Sequence, residues 1–103
     1  MMRVEWTDPA HEDLDDLVRY ISKDSAYYAR LFAERILLAT RRLRNFPESG
    51  RAIPEAEDVA LREIIVEGYR VMYRLETDRT LVLAVMHGSR DIGGREKKPW
   101  EML

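Results

Sequence analysis

The last third of the chain, from Leu61 to Ile92, contains three β-rich runs that two tight turns separate. Glu67-Gly68 is the first predicted turn and Thr77 to Arg79 is the second, which makes the three strands antiparallel neighbours. The third run, Leu81 to Met86, is apolar at every position, as is typical of a strand covered on both faces. The pattern therefore predicts a small antiparallel sheet that needs a packed layer on each side.

Two amphipathic helices are predicted ahead of this sheet. Arg3 to Trp6 alternates charged and apolar residues and suits a short strand, after which Asp8 as N-cap and Pro9 at the first helical position begin a helix. Ser22 to Ser25 interrupts the helical spacing, and a second helix follows from about Ala26 to Asn45. The predicted fold class is α+β, with an N-terminal strand, a helical hairpin and then a three-stranded antiparallel sheet (β-α-α-β-β-β), giving four strands in all.

The turn at Glu67-Gly68 decides which face of the sheet each side chain occupies. With a two-residue turn, the face toward the helices carries Ile64, Val66, Tyr69, Val71, Tyr73 and Leu75. The opposite face carries Arg70, Met72 and Arg74. No obvious segment covers this opposite face, because residues 47–58 read as loop. Either the tail, residues 93–103 with Trp100, folds back over it, or a partner chain lies on it, for example as an added strand.

Composition bounds the class of protein. A length of 103 residues corresponds to one domain, residues 1–103. We expect the tail at 93–103 to be flexible or bound by a partner. The chain has no cysteine, which excludes disulfides and cysteine-based metal sites or nucleophiles. The segment MMRVEWTD lacks the apolar stretch of a signal peptide, and no apolar run reaches membrane length, so we expect a cytoplasmic protein without membrane contact. A dedicated nucleic-acid module would usually carry a basic excess, so the net charge of −2 argues against that class of protein.

Charge is distributed unevenly along the chain. Residues 1–26 hold seven acidic side chains against three basic ones, and residues 27–54 hold six basic ones against two acidic ones. One interpretation is that two oppositely charged, solvated helix faces attract each other across the hairpin. The other is that the basic end of the second helix contacts an acidic partner.

Three side chains are candidates for chemistry on the sheet. The predicted register places His87 beside Arg70 on one face, and Arg90 follows the Gly88-Ser89 turn. Two arginines and a histidine at a strand end can bind a phosphate and carry a proton. The alternative is that Arg70 and His87 bond to a carboxylate of the chain itself or of a partner. The sequence contains no glycine-rich phosphate loop and no spacing typical of a metal site, so no metal and no cofactor are expected.

Several segments together resemble the RelE/ParE superfamily of type II toxins. They are FPESGR after the second helix, LREIIVEGYRVMYRL in the middle hairpin and VLAVMHGSRDI at the end, and the resemblance runs from VEWT to about Ile92. The most specific pieces are GYRVMYR and HGSRD, of which the second is more similar to the ParE branch than to the RelE branch.

The ParE branch implies a toxin that inhibits DNA gyrase by binding it, without catalytic residues. It also implies neutralisation by a ParD-like antitoxin, through which any contact with DNA would be indirect. For the antitoxin we expect a surface on the uncovered sheet face, made by Met72, Arg74, Leu83 and Val85. For the target we expect a cationic segment with one aromatic anchor, made by Arg90, Arg95, Lys97, Lys98 and Trp100.

The RelE branch implies a different activity, cleavage of mRNA on the ribosome, for which Arg70, Arg90 and His87 would be the catalytic set. This chain departs from that branch in two places. Its tail, DIGGREKKPWEML, lacks the tyrosine found near the RelE C-terminus, and its EAEDVA loop is acidic where ribosome-directed relatives carry lysines. A gyrase inhibitor that is not an enzyme is therefore the favoured interpretation. A nontoxic relative that retains only antitoxin binding is a third.

Overall fold

The computed structural model describes residues 2–90, 92 and 97–101. An N-terminal strand, β1 (Arg3–Trp6), leads into helix α1 (Asp8–Ser22), helix α2 (Ala26–Arg41) and a 3₁₀ turn (Arg42–Arg44). Four strands follow: β2 (Arg51–Ala52), β3 (Leu61–Val66), β4 (Tyr69–Leu75) and β5 (Arg79–His87). A second 3₁₀ turn is formed by Pro99–Glu101. None of the helices in the described part of the chain is long and apolar enough to cross a membrane.

The strands form one sheet in the order β1-β5-β4-β3-β2, with β1 parallel to β5 and the other neighbours antiparallel. The predicted α+β fold with its helical hairpin is therefore confirmed. The sheet has one strand more than predicted, because Arg51 and Ala52 of the predicted loop pair with Glu63 and Arg62. Hydrophobic alternation cannot reveal a strand of two residues, which is why the pattern missed β2.

Both helices begin at side-chain caps. Thr7, and not Asp8 as predicted, is the N-cap of α1, since its hydroxyl accepts a hydrogen bond from the Ala10 amide at 3.2 Å. Ser25 caps α2 in the same way, accepting from the Tyr28 amide at 3.0 Å. Such caps satisfy amides that the first turn of a helix leaves without partners, and each contributes about 1 kcal/mol.

The helical hairpin covers one face of the sheet, which we call the helix face. Its core is made by Ala10, Leu14, Phe32, Ile36, Val71, Val82 and Val85. Ile64, Val66 and Tyr69 pack around this core, so the predicted facing of these three residues and of Val71 is confirmed. Each fully buried aliphatic or aromatic side chain contributes about 1.5–3 kcal/mol, which makes this layer a main source of stability.

The other side of the sheet, which we call the outer face, is covered by the chain itself. Its core is made by Ile53, Leu61, Met72, Leu81, Leu83, Ala84, Met86 and Ile92. Ala56 from the loop after β2 and Trp100 from the tail pack against it. Of the two alternatives left open by the sequence, folding back of the tail is seen at Trp100, while the contribution of Ile53 and Ala56 from the predicted loop was not foreseen. Residues 93–96 and 102–103 of the predicted tail lie outside the described part of the chain.

A one-residue bulge interrupts the pairing of β5 with β4. Tyr73 pairs with Val82, but its neighbour Met72 pairs with Ala84, so Leu83 has no cross-strand partner of its own in this ladder. Leu83 and Ala84 both belong to the outer-face core as a result. One extra residue in a strand transfers every later side chain to the face opposite the one that simple alternation predicts.

The bulge corrects two predictions made from an uninterrupted register. Val85, expected on the uncovered face, lies in the core of the helix face. His87 pairs with Tyr69 on the helix face, while Arg70 pairs with Met86. His87 and Arg70 therefore lie on opposite faces of the sheet and do not form the shared site that the sequence suggested.

Tyr73 ties the segment before β2 to the sheet. Its buried hydroxyl donates to the Pro47 carbonyl at 2.8 Å and accepts from the Gly50 amide at 2.9 Å. Position 50 requires glycine for this approach, because a Cβ there would lie 2.5 Å from the Tyr73 hydroxyl and 2.7 Å from the Glu63 carbonyl oxygen.

We expect Tyr73→Phe to lower the free energy of unfolding by about 1–3 kcal/mol, because it leaves the buried Gly50 amide and the partly buried Pro47 carbonyl without this partner. Tyr27→Phe is the matched control, since Tyr27 is 67% exposed and should change stability by less than about 0.5 kcal/mol. Urea unfolding followed by circular dichroism measures both variants. Equal midpoints for Tyr73→Phe and the wild type would show that the hydroxyl does not hold this segment.

Candidate functional site

Arg70, the central candidate from the sequence, is held by two carboxylates on the outer face. Its Nε donates to Glu63 Oε1 at 2.6 Å. Its Nη1 and Nη2 donate to the two carboxylate oxygens of Glu55, at 2.9 and 2.7 Å. Only 6% of the residue is exposed. Arg70 therefore bonds to carboxylates of its own chain, which was one of the two alternatives that the sequence left open.

Glu63 connects this pair to the edge of the sheet. Its side chain has no exposed surface, and its second oxygen, Oε2, accepts from Arg51 Nε at 2.7 Å. Arg51, Glu63, Arg70 and Glu55 form a continuous chain of ion pairs that we call the Arg70 network. A buried carboxylate is costly unless it is paired and hydrogen-bonded, and here two guanidinium groups meet that requirement.

Within the network, the pKa values of Glu55 and Arg70 move in the directions that favour charge. The hydrogen bond from Arg70 lowers the pKa of Glu55 below its ordinary value. The hydrogen bond with Glu55, reinforced by Glu63, raises the pKa of Arg70 although burial opposes the shift. Arg70 consequently remains charged under all ordinary conditions. It can act as a cation and a hydrogen-bond donor but not as a general acid or a general base.

The other two candidates lie at the end of β5, away from this network. His87 is exposed on the helix face, where its ring contacts Tyr69 edge-on at 5.1 Å between centroids. The Ser89 amide donates to His87 Nδ1 at 3.1 Å, so this nitrogen is an acceptor. Arg90 is exposed and lines a cavity of about 210 Å³ with Glu12 and Pro99. The structure thus does not bring the three predicted catalytic residues together.

The residues predicted to bind the antitoxin differ widely in access. Met72 and Leu83 are buried in the outer-face core and Val85 in the helix-face core. Arg74 is accessible in part: its Nη1 lies 3.7 Å from an oxygen of Asp58, and its Nη2 lies 3.5 Å from the Trp100 carbonyl. The apolar members of this set would therefore meet a partner only if the covering segments were displaced.

The predicted target-binding residues form no single patch in the described part of the chain. Lys97 is exposed and Lys98 is half-buried, whereas the Trp100 side chain packs on the outer-face core. Arg95 lies outside the described residues. Among the described residues, no group of three histidine, aspartate or glutamate side chains could hold a metal ion.

Sequence reasoning identified Arg70 but missed Glu55, Glu63 and Arg51. A signal for Glu63 was present, since a two-residue turn at Glu67-Gly68 places Glu63 diagonally across from Arg70 on one face, within reach of long side chains. Glu55 gave no such signal, because it lies in a loop whose path depends on tertiary contacts.

Three solved structures share the fold of this chain. A chain from "Chromosomal ParDE TA system from P. aeruginosa" superimposes with a TM-score of 0.70 at 21% identity, over 84% of this chain and 96% of that one. A chain of the toxin-antitoxin complex RelBE2 from Mycobacterium tuberculosis gives 0.53 at 21% identity, also over 84% and 96%. The conserved hypothetical protein HP0894 from Helicobacter pylori gives 0.56 at 15% identity, over 87% and 98%. At these identities the likeness establishes the fold alone.

Sequence comparison establishes the family. The family model described as "ParE toxin of type II toxin-antitoxin system, parDE" matches residues 4–92. A candidate toxin of Sinorhizobium fredii (strain NBRC 101917 / NGR234), Y4kP, is 34% identical over an alignment of 87 residues that covers 82% of this chain and 86% of that protein. The chain therefore belongs to the ParE toxin family of type II toxin-antitoxin systems, within the RelE/ParE superfamily.

The Arg70 network should make stability depend on pH in the acid range. The carboxylate of Glu55 has a pKa below its ordinary value of 4.5, so its contribution is fully present above that pH and is lost as the pH falls further. We expect Glu55→Gln to lower the free energy of unfolding at pH 7 by about 1 kcal/mol, the scale of a partly exposed ion pair.

The difference between Glu55→Gln and the wild type should shrink as the pH is lowered below 4.5, because the wild-type carboxyl group then becomes neutral as well. Glu57→Gln, in the same loop, is the matched control, since Glu57 is exposed and forms no ion pair with the described residues. Urea unfolding between pH 3 and pH 7 measures the three proteins. A difference that stays constant over this range would contradict the role given to Glu55.

Proposed function

We propose that this chain is a toxin that inhibits DNA gyrase by direct protein contact, and that a ParD-like antitoxin neutralises it. The observation that carries the proposal is the Arg70 network. The cation that an RNA-cleaving relative would need on this sheet is fully engaged by Glu55 and Glu63. Membership in the ParE family points in the same direction.

Catalysis of RNA cleavage would require several cationic groups aimed at one phosphate. Such groups stabilise a transition state only when they stand within hydrogen-bond distance of the developing charge and do not have to reorganise. Arg70 would have to leave two carboxylates, and this would leave Glu63 buried with one guanidinium fewer. His87, on the other face of the sheet, could not complete a site with Arg70.

Inhibition by binding does not require several cations to be aimed at one phosphate. A contact with a protein target can use separate exposed cations, and the net charge of −2 does not hinder it as it would hinder docking on ribosomal RNA. Arg90 belongs to the residues predicted to contact the target. It is exposed and follows shortly after the end of β5. We propose it as a contact to the target, together with Lys97.

The first test compares purified gyrase with a reconstituted translation system. We expect the toxin to inhibit supercoiling by gyrase and to leave mRNA on translating ribosomes intact. Codon-dependent cleavage of mRNA would contradict the proposal. In that case Arg70→Ala should lower the cleavage rate by roughly 10²-fold or more, the scale of removing one transition-state contact.

A second test concerns Arg90. We expect Arg90→Gln to weaken inhibition of gyrase by about tenfold, the scale of losing one charged contact at an interface, with no change in the unfolding midpoint. Arg19→Gln is the matched control, since Arg19 is exposed on α1 and pairs only with Asp16 of the same helix among the described residues. Equal inhibition by both variants would place the target contact elsewhere.

Neutralisation is tested by locating a small open reading frame next to the gene for this chain and co-expressing its product with the toxin. We expect that product to restore growth and to co-purify with the toxin. If the chain binds that product but affects neither gyrase nor growth on its own, the nontoxic alternative replaces the gyrase proposal.

A further inference from the structure

A small cavity between the end of helix α2 and strand β1 has no role in the sites described so far. Its volume is about 160 Å³. We call it the α2-end cavity. It is lined by residues of β1, of the last turns of α2 and of the 3₁₀ turn that follows: Val4, Trp6, Leu37, Thr40, Arg41 and Arg44. Both arginines come from the 27–54 segment, whose positive charge stood out in the sequence.

The two guanidinium groups in this cavity have no counter-charge among the described residues. Arg41 and Arg44 are exposed, and neither side chain forms an ion pair or a hydrogen bond with the described part of the chain. The predicted attraction between the basic α2 and the acidic α1 across the hairpin is not seen among the described ion pairs. The positive charge at the end of α2 is therefore open to a ligand.

Helical spacing brings both cations to one side of the chain. Arg41 and Arg44 are three residues apart, a spacing that places side chains on the same side of a helix. Arg42, between them, lines a different cavity beside Ile64 of β3. The Arg44 carbonyl accepts from the Met2 amide at 2.9 Å, which holds the 3₁₀ turn against the start of β1. Two guanidinium groups thus line one cavity whose walls are fixed by secondary structure.

Alternation along β1 keeps the carboxylate of this strand away from the two arginines. Val4 and Trp6 pack around the helix-face core, so Arg3 and Glu5 lie on the opposite side of the strand. On that side Glu5 accepts from Arg79 at 3.0 Å and also pairs with Arg3 at 3.4 Å. The α2-end cavity is consequently lined by two cations and mostly apolar side chains, with no carboxylate among its lining residues.

The apolar wall of the cavity suits one planar ring. Leu37 is 45% exposed, although it is aliphatic. The Trp6 ring is held in place by stacking on His11, with 5.5 Å between the ring centroids and 26° between the planes. A cavity of about 150 Å³ can hold a benzene molecule, and the α2-end cavity is of similar size.

We propose that the α2-end cavity binds a phosphate monoester that carries one planar ring, as an aryl phosphate or a pyrimidine nucleotide does. The phosphate group carries a charge of about −1.5 to −2 at pH 7, which matches two guanidinium groups, and its three terminal oxygens can accept hydrogen bonds from both. The ring lies against Trp6 and Leu37. Because this cavity shares no lining residue with the one beside Arg90, the inference goes beyond the proposed function and does not depend on it.

A carboxylate would use the two arginines less completely. It carries one charge and two oxygens, so a single guanidinium satisfies it through two parallel hydrogen bonds. The second arginine would then keep its charge uncompensated. A phosphate monoester therefore fits the pair better.

The cavity binds this ligand without hydrolysing it. The Thr40 hydroxyl is buried and donates to the Leu37 carbonyl at 3.0 Å. A guanidinium cannot lose its proton in a protein, so neither Arg41 nor Arg44 can act as a general base. The lining residues thus supply charge and an apolar wall but no proton transfer.

Three substitutions test the cavity from its two sides. Arg41→Gln and Arg44→Gln each remove one cation, and Leu37→Ala shortens the apolar wall without changing the charge. Arg30→Gln is the matched control, because Arg30 is exposed on the same helix, lies over the Tyr27 ring at 5.8 Å and does not line the cavity. All four substituted residues are exposed, so we expect each variant to fold, which circular dichroism verifies.

The probe is phenyl phosphate, titrated into the ¹⁵N-labelled full-length chain and followed by NMR. We expect saturable shifts of the Trp6 indole N–H, while the indole N–H of Trp100, which packs on the outer-face core, serves as the internal reference. Arg41→Gln and Arg44→Gln should each weaken binding by about tenfold or more, the scale of losing a hydrogen bond to a charged group. Leu37→Ala should weaken it by about threefold, since it removes part of an apolar contact. Arg30→Gln should change it by less than about twofold.

Three further ligands separate the parts of the proposal. Inorganic phosphate and benzoate should each bind about tenfold more weakly than phenyl phosphate, because the first lacks the ring and the second lacks the dianion. Uridine 5′-monophosphate distinguishes the two sources of the ligand: tighter binding than phenyl phosphate assigns the cavity to nucleotides, and weaker binding assigns it to aryl phosphates.

Four results would overturn the assignment. Inorganic phosphate that binds as tightly as phenyl phosphate would remove the role of the ring, and benzoate that binds as tightly would remove the role of the phosphate. Binding that persists in Arg41→Gln and Arg44→Gln would place the ligand elsewhere. Absence of saturable binding to the wild type would leave the two arginines only the favourable interaction of cations with the end of a helix.

Discussion

The buried carboxylate of Glu63 is the interaction on which the outer side of this molecule depends. An unpaired ion in such a place would cost several kcal/mol, but Arg51 and Arg70 approach its two oxygens from either side. Through Arg51 it holds the two-residue strand β2, and through Arg70 it positions Glu55 and the loop that carries Ile53 and Ala56 over the outer-face core. One carboxylate thereby links the edge strand, two central strands and their cover.

The same interaction limits the chemistry available to the sheet. The Arg70 guanidinium neutralises the buried Glu63 carboxylate and so stabilises the fold. If it moved to bind a substrate, the charge of Glu63 would be less well compensated. Arg70 therefore occupies the place of a functional cation in the sequence and has a structural role in the fold. A superfamily fold can keep a motif position while the function depends on residues elsewhere.

Most of the fold followed from periodicity. The helix-face residues Ile64, Val66, Tyr69 and Val71 were predicted correctly, because a two-residue turn and strict alternation fix their side. For the candidate site, the same alternation predicted the facing of β5 side chains correctly only as far as Leu83. A single unpaired residue there inverts the facing of Val85 and His87, and no local pattern marks a bulge inside a wholly apolar strand. The outer cover was also hidden, since loop residues such as Ile53 show no period and their positions are set by tertiary ion pairs.

With Arg70 held by two carboxylates, three exposed cations considered above lie at different places on the molecule. Arg42 lies in a cavity beside β3, Arg90 at the end of β5, and Lys97 in the tail. Stabilisation of a transition state requires that cationic groups converge on one phosphate, and Arg42 and Arg90 line different cavities. They can each meet an acidic group on a broad protein surface, where a few well-placed contacts carry most of the affinity. This placement of Arg42, Arg90 and Lys97 supports the proposal that the protein acts by binding.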